Sequence, residues 1–233
     1  MAILDLIYPR HCPVCLSALM PGKTLICSEC RKKIRLITEP VCLKCGRPVR
    51  DGTRQYCASC ERGMPLFERN IVWADYGSFY IRRMLFEVKY HENPQLLDYP
   101  CQDFARRHRS EILAFGAEAL IPVPVHEKRL RARGYNQAEE IARRLSDALG
   151  IPLDSGCLVR KASTAAQKEL GRRERALNLM KAFAAEPSAG RYSSVILVDD
   201  IYTTGATLNA CTRVLKNAGV EKVYALTLSA GYV

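Results

Sequence analysis

Eight of the chain's eleven cysteines lie between Cys12 and Cys60, as four Cys-x-x-Cys pairs: Cys12/Cys15, Cys27/Cys30, Cys42/Cys45 and Cys57/Cys60. Each pair begins fifteen residues after the one before it. Two intervening residues let both sulfurs of a pair turn onto one ion, and two such knuckles complete a tetrahedral four-thiolate site. Eight ligands therefore predict two zinc ions. Gly46, directly after Cys45, suits the knuckle turn. Disulfides compete for the same residues. The first eight residues lack a basic leader, carry Asp5 and are too short for a signal peptide, so a reducing compartment is expected. A redox role is disfavoured because four evenly spaced copies have no βαβ context. Closed all-cysteine sites are structural, supplying folding energy to a segment too small to build a core. The ion-sharing pattern is open. Sequential pairing puts Cys12, Cys15, Cys27 and Cys30 on one ion and Cys42, Cys45, Cys57 and Cys60 on the other; a cross-braced arrangement is the alternative.

Basic residues crowd these pairs, among them Arg10, Lys23, Arg31 to Lys33, Arg35, Lys44, Arg47, Arg50 and Arg54. A nucleic-acid-binding ribbon and a solvated basic face both account for them. Cys101, Cys157 and Cys211 sit among apolar neighbours and read as core thiols. The metal-bearing segment should end near Glu61–Pro65, dividing the chain into a zinc-ribbon module at 1–63 and a larger domain at 64–233.

With 48% hydrophobic residues in 233, that larger part can bury a core. Its pattern is strands alternating with helices: strands near 70–77, 119–125, 157–160, 195–198 and 222–228, and helices near 81–90, 96–115, 138–149 and 208–217. This argues an α/β fold with a parallel, doubly wound sheet. Trp73, Tyr76 and Tyr80 read as core aromatics before base-stacking ones. No segment has the roughly 18 uninterrupted apolar residues of a membrane span. The net charge of +11 favours anionic partners without choosing among metabolites, nucleic acid and lipid.

Within that domain, the apolar run 195–198 reads as a strand buried on both faces, ending at two adjacent carboxylates, Asp199 and Asp200. Thr203, Thr204, Gly205, Ala206 and Thr207 then lead into a helix. Paired acids at a strand's carboxyl end suit the two vicinal hydroxyls of a ribose. A small, hydroxyl-rich loop opening a helix offers free N–H groups to a phosphate. A sugar carrying a 5′-phosphate satisfies both. The stretch from His126 to Gln137 reads as a loop presenting Lys128, Arg129, Arg131 and Arg133. Such cations suit pyrophosphate, and strand-end loops are where α/β sheets bind ligands. His126 reads as a loop residue, not a base. Residues 161–178 begin small and polar, as a lid would, and become helical and basic.

The stretch from Val198 to Thr207 resembles the signature of type I phosphoribosyltransferases that binds 5-phosphoribosyl-1-pyrophosphate (PRPP). The whole chain resembles the ComF family, including its GntX-like members. Four features carry this: the double zinc ribbon; Pro122 to His126 with Arg129, Arg131 and Arg133 to Ala138; Arg160 with Thr164, Gln167, Leu170, Arg172, Arg175 and Asn178; and the PRPP signature. Ala165 stands where the family often has proline, which bears on lid stiffness. The resemblance implies a type I phosphoribosyltransferase fold, with Asp199 and Asp200 on the ribose and Thr203 to Thr207 on the 5′-phosphate. Mg²⁺ would accompany PRPP. Arg129, Arg131, Arg133 and Arg160, with Lys161, are the pyrophosphate candidates. It also implies a link to natural competence, with single-stranded DNA and DNA-translocation proteins as partners. The expected location is the cytoplasm, or the membrane's inner face through those partners.

Two classes of function follow. One is phosphoribosyl transfer to a nitrogenous acceptor, in a competence setting or in nucleobase salvage. The acceptor hood would then come from 64–90. The other is DNA binding without turnover, through the ribbons and basic loops.

Overall fold

The computed structural model describes residues 11–19, 25–49, 51–91, 93–161 and 182–231. The lid expected at 161–178, apart from Lys161, and the apolar start of the chain lie outside them.

The cysteine pairs build one local structure twice. Antiparallel bridges, His11 with Ala18 and Val41 with Pro48, bracket the leading pair of each ribbon, thirty positions apart. Cys12 N–H donates to Ser17 O and Cys42 N–H to Arg47 O, each at 2.8 Å. The trailing pairs open one-turn helices, α1 (Ser28–Lys32) and α2 (Ala58–Arg62), N-capped by Cys27 and Cys57. The fifteen-residue spacing is thus half of a thirty-residue structural repeat.

The chain then runs through β1 (Asn70–Asp75), α3 (Phe79–Tyr90), a 3₁₀ turn (Pro94–Leu97), α4 (Asp98–Leu113) and β2 (Ala119–Pro122). It continues with α5 (Glu127–Arg133), α6 (Gln137–Leu149), β3 (Leu158–Arg160) and β4 (Phe183–Ala185). Last come β5 (Ser194–Tyr202), α7 (Ala206–Asn217) and β6 (Lys222–Ala230). Strands β1, β6, β5 and β2, in that order, form an all-parallel sheet, while β3 and β4 pair antiparallel apart from it.

Period-two alternation sorts the core. Ile71, Trp73, Ile196, Val198, Leu226 and Leu228 share one face with α3, α4 and α6. Val72, Val195, Leu197, Val223 and Ala225 share the other with α7 and β4. The sheet is doubly wound, as expected. Each ribbon takes a different face. Cys12, Ile26, Cys30 and Ile34 of the first join the α3/α4/α6 side, and Cys42, Cys45, Val49 and Cys60 of the second join the α7 side. Between them, Arg35 O accepts from Asp75 N–H at 2.9 Å and Ile37 N–H donates to Trp73 O at 3.0 Å, so the linker edges the sheet along β1.

Two local expectations are corrected. The acids do not follow the strand; they lie within it. β5 continues to Tyr202 because Asp199, Ile201 and Tyr202 stay in register with Thr227, Ser229 and Ala230 of β6, after β2 has stopped at Pro122. The cationic loop after β2 is instead a helix, α5. His126 caps it by accepting from Lys128 N–H at 3.1 Å, Glu127 complements its dipole, and Gly134 ends it at φ 76°.

Candidate functional site

The carboxyl ends of β2 and β5 open onto a cavity of about 210 Å³. Lys89, Arg129, Arg133, Arg160, Asn136, Gln137, Asp199, Asp200 and Thr207 contribute its polar lining. Four cations against two carboxylates make it a site for an anion.

Pleating sends the two acids to opposite faces of β5. Asp200 takes the α3 side, where Lys89 forms an ion pair with it. Asp199 takes the other and accepts a hydrogen bond from Asp200 N–H at 2.9 Å. Burial, and then the neighbouring Asp200, push the Asp199 carboxyl up to about 8. Arg160 is half-buried with its guanidinium 5.2 Å from the Phe183 ring centroid. Burial, then the nearby Arg129, lower its pKa. Its Nε and the Nε2 of Gln137 are buried donors without a hydrogen-bond partner among the described residues.

Helix periodicity divides the α5 cations. Arg129 and Arg133, four apart, border the cavity; Arg131 is exposed on another side and pairs with Glu127. Arg133 also donates to Gln137 Oε1 at 2.9 Å. In the turn into α7, Thr203 and Thr204 are exposed, Gly205 is buried at φ 76°, and Thr207 borders the cavity. Gly205 has a steric reason: a Cβ there would lie 2.5 Å from the Tyr202 hydroxyl.

Sequence reasoning missed Lys89, read only as a helix end, and gave Asn136 and Gln137 no role of their own. Asn136 caps α6 by accepting from Ala138 N–H and donates to Val123 O, both at 3.1 Å, tying α6 to the end of β2. A lysine at the carboxyl end of α3 is ordinary dipole chemistry in sequence; only the packing of α3 across β5 brings it to the acids.

The cysteines resolve sequentially. Cys12, Cys15, Cys27 and Cys30 form one group and Cys42, Cys45, Cys57 and Cys60 the other, with all four sulfurs of each within 4.8 Å of one another. Four converging thiols suit a tetrahedral zinc ion. Several of their basic neighbours are engaged within the protein. Arg31 stacks 4.5 Å over Tyr99, Arg35 pairs with Asp75 at 2.8 Å, and Arg54 pairs with Glu61 at 3.2 Å. Arg47 is buried. Trp73 is core, donating from Nε1 to Asp103 at 3.0 Å.

A second cavity, of about 270 Å³, lies between the linker at 36–41, β1 and α4. It holds the internally neutralised pair Arg69–Glu111 and much apolar lining, and it shares no lining residue with the cavity at the acid pair.

Residues 3–61 match the double zinc ribbon domain and residues 131–231 the phosphoribosyl transferase domain. DNA utilization protein YhgH of Escherichia coli O157:H7 is 30% identical over 219 residues, covering 92% of this chain and 94% of that protein. Competence protein F of Haemophilus influenzae is 35% identical over 151 residues, 63% of this chain and 64% of its own length. Competence protein ComFC of Streptococcus pneumoniae is 30% identical over 126 residues, 54% of each chain.

Proposed function

On the premise that this chain belongs to the ComF family of double-zinc-ribbon, phosphoribosyltransferase-domain proteins, we propose that it binds PRPP at the acid pair and serves DNA uptake or utilisation. Asp199 and Asp200 hold the ribose hydroxyls, and the amides of Thr203 to Thr207 hold the 5′-phosphate at the start of α7. Arg129, Arg133, Arg160 and Gln137 receive the pyrophosphate. Mg²⁺ bound with PRPP would neutralise charge on its pyrophosphate.

The observation that carries this reading is the pair of buried donors, Arg160 Nε and Gln137 Nε2, on side chains lining the cavity and without a partner among the described residues. Leaving a buried donor unmade costs about 1–3 kcal/mol. Pyrophosphate oxygens offset that cost in the liganded state. The same parts suit transfer. The C1–O bond to pyrophosphate breaks, positive charge at C1 is stabilised by the acids, a C1–N bond forms, and the acceptor's proton leaves to solvent. The carboxyl end of α3 flanks this space, where an acceptor would sit.

Calorimetric titration of the zinc-loaded protein with PRPP and Mg²⁺ tests the reading. Saturable binding is expected, abolished in Asp199→Asn/Asp200→Asn and weakened at least about tenfold in Arg160→Ala, the loss expected of a charged hydrogen bond. A wild type that does not bind overturns it. Pyrophosphate release in a screen of nitrogenous bases then reports turnover.

A specific surface favours DNA handling beside the PRPP site. The outward side of α3 exposes Phe79 (58%), Phe86 (43%) and Tyr90 (60%). Arg83 lies 5.7 Å over Phe86, Arg133 lies 5.5 Å over Tyr90, and Lys33 of the first ribbon lies 5.8 Å over Tyr80. Aromatic faces interleaved with cations suit the unstacked bases and phosphates of a single strand. Anisotropy with a labelled oligothymidine should show binding that weakens with salt and with Phe86→Ala/Tyr90→Ala. Undiminished binding by that variant would remove α3 from the DNA path.

A further inference from the structure

Arg47 is an arginine 5% exposed that forms no ion pair with a carboxylate among the described residues. A buried cation of that kind is costly unless something else balances it. Its Nε donates to Cys45 Sγ at 3.5 Å, and its guanidinium sits 5.2 Å from the centroid of the Tyr202 ring. Four thiolates around a divalent ion carry a net negative charge, so the loaded second ribbon supplies the missing counter-charge. Tyr202 is 2% exposed, closes β5 and packs edge-on against Phe67 with centroids 6.2 Å apart. Its hydroxyl fills the space that a Cβ at Gly205 would occupy, at 2.5 Å, directly beneath the left-handed turn that opens α7. A line of packed groups therefore runs from Cys45 sulfur through Arg47 and Tyr202 to the turn of Thr203 to Thr207.

Among the described residues the first ribbon has no such line. The position thirty residues earlier is Ser17, whose hydroxyl meets Cys15 Sγ at 3.3 Å on an exposed surface.

We propose that Arg47 is a positioning residue coupling the second zinc site to the phosphate-binding turn. The metal-thiolate charge draws the guanidinium onto the face of Tyr202, and Tyr202 holds the backbone at Gly205 in the conformation that aims the amides of Thr203 to Thr207. Loss of the second ion then loosens the turn.

Hydrogen–deuterium exchange of the zinc-loaded full chain tests this without PRPP, with zinc per chain measured in parallel. Arg47→Met keeps length and apolar bulk but removes charge. It should keep both ions and speed exchange at 203–207 by between about twofold and thirtyfold, the range that cation–π contacts span from exposed to desolvated settings. Exchange elsewhere in the sheet should not change. Unchanged exchange at 203–207 with both ions present overturns the proposal. Tyr202→Leu approaches the line from the other end, which matters if Arg47→Met loses its second ion. It should keep both ions and loosen the turn, and chelating the zinc should then loosen it no further. A turn that still responds to chelation as in the wild type would equally overturn the coupling. The affinity arm rests on the PRPP reading: Arg47→Met should weaken PRPP by a factor in the same range. A wild type that does not bind PRPP would end that reading while leaving the exchange result standing.

Discussion

The two ribbons share one plan and meet the rest of the protein in opposite ways. Both carry a left-handed residue just after the leading Cys-x-x-Cys pair. In the first ribbon it is Leu16 at φ 62°, 68% exposed. In the second it is Gly46 at φ 72°, where a Cβ would lie 2.5 Å from Asn70 O. The second ribbon is pressed against the start of β1, where Lys44 O also accepts from Asn70 N–H at 2.8 Å. Its Cys42, Cys45 and Cys60 are nearly inaccessible; in the first, Cys12 and Cys30 are equally buried but Cys15 is open. Identical metal chemistry can thus be held against a sheet at two depths. Which depth a site takes is set by what its knuckle touches.

The sharpest break in that comparison comes from removing one ligand in each ribbon. Structural zinc contributes on the order of 10 kcal/mol or more to small sites. Cys45→Ser should cost the second ion and lower the melting temperature of the α/β domain by more than loss of the first ion does, because more of that cluster is buried against the sheet. Cys15→Ser should lower zinc to one per chain while the α/β domain still melts cooperatively. Zinc content and calorimetric melting measure both, and equal damage from the two substitutions would contradict the distinction.

Swapping the left-handed residues sharpens it. Gly46→Ala combines left-handed strain with backbone overlap and should cost about 2–5 kcal/mol. Leu16→Gly relieves strain in open solvent and should leave stability unchanged or raise it by up to about 1 kcal/mol. Denaturant midpoints give both values.

The two sheet faces also divide the acids, with a consequence for pH. Asp199, on the second ribbon's side, has a folded pKa of about 8, above the carboxylate's usual value in the unfolded chain. The folded state therefore holds a proton that the unfolded state has released, so stability falls as pH rises from about 4 to about 8. Asp199→Asn should flatten that slope and melt higher than wild type at pH 8, with the gap closing toward pH 4. Under the PRPP reading, cation-assisted binding favours the carboxylate, so wild-type affinity should rise between pH 6 and pH 8.5. Thermal scans and titrations across pH check the two halves.

The smallest effect belongs to the first ribbon's face. Phe86→Ala should leave zinc, melting temperature and PRPP affinity nearly unchanged, within the roughly 0.5 kcal/mol of an ordinary surface substitution. It should still reduce oligothymidine binding by a measurable factor in anisotropy.

Much of the architecture was legible from residue patterns. Short apolar runs, alternating at 70–77 and continuous at 195–198, identified the four parallel strands, because strand patterning is a local property. The cysteine spacing pointed to two four-thiol sites because a Cys-x-x-Cys knuckle is also local. The acids and the Thr203–Thr207 turn stood out for the same reason. The cations were harder. Read as a loop, the segment after β2 could bring Arg129, Arg131 and Arg133 together. As a helix it puts the first and last on one side and turns Arg131 to Glu127. His126 and Gly134 at its ends, and the four-residue spacing of Arg129 and Arg133, were the signals for that helix.

The sequence by itself determined two pairs of cysteine knuckles, a doubly wound sheet and an acid pair followed by a small, hydroxyl-rich turn, since each depends on neighbours a few residues away. Only the tertiary structure decided which cysteines share an ion, which cations reach the cavity, that Lys89 meets Asp200, and that Arg47 lies between a metal site and Tyr202. Those contacts join groups from separate elements, Arg47 and Tyr202 being 155 positions apart. They exist because burying both faces of one sheet forced the two ribbons to opposite sides of it.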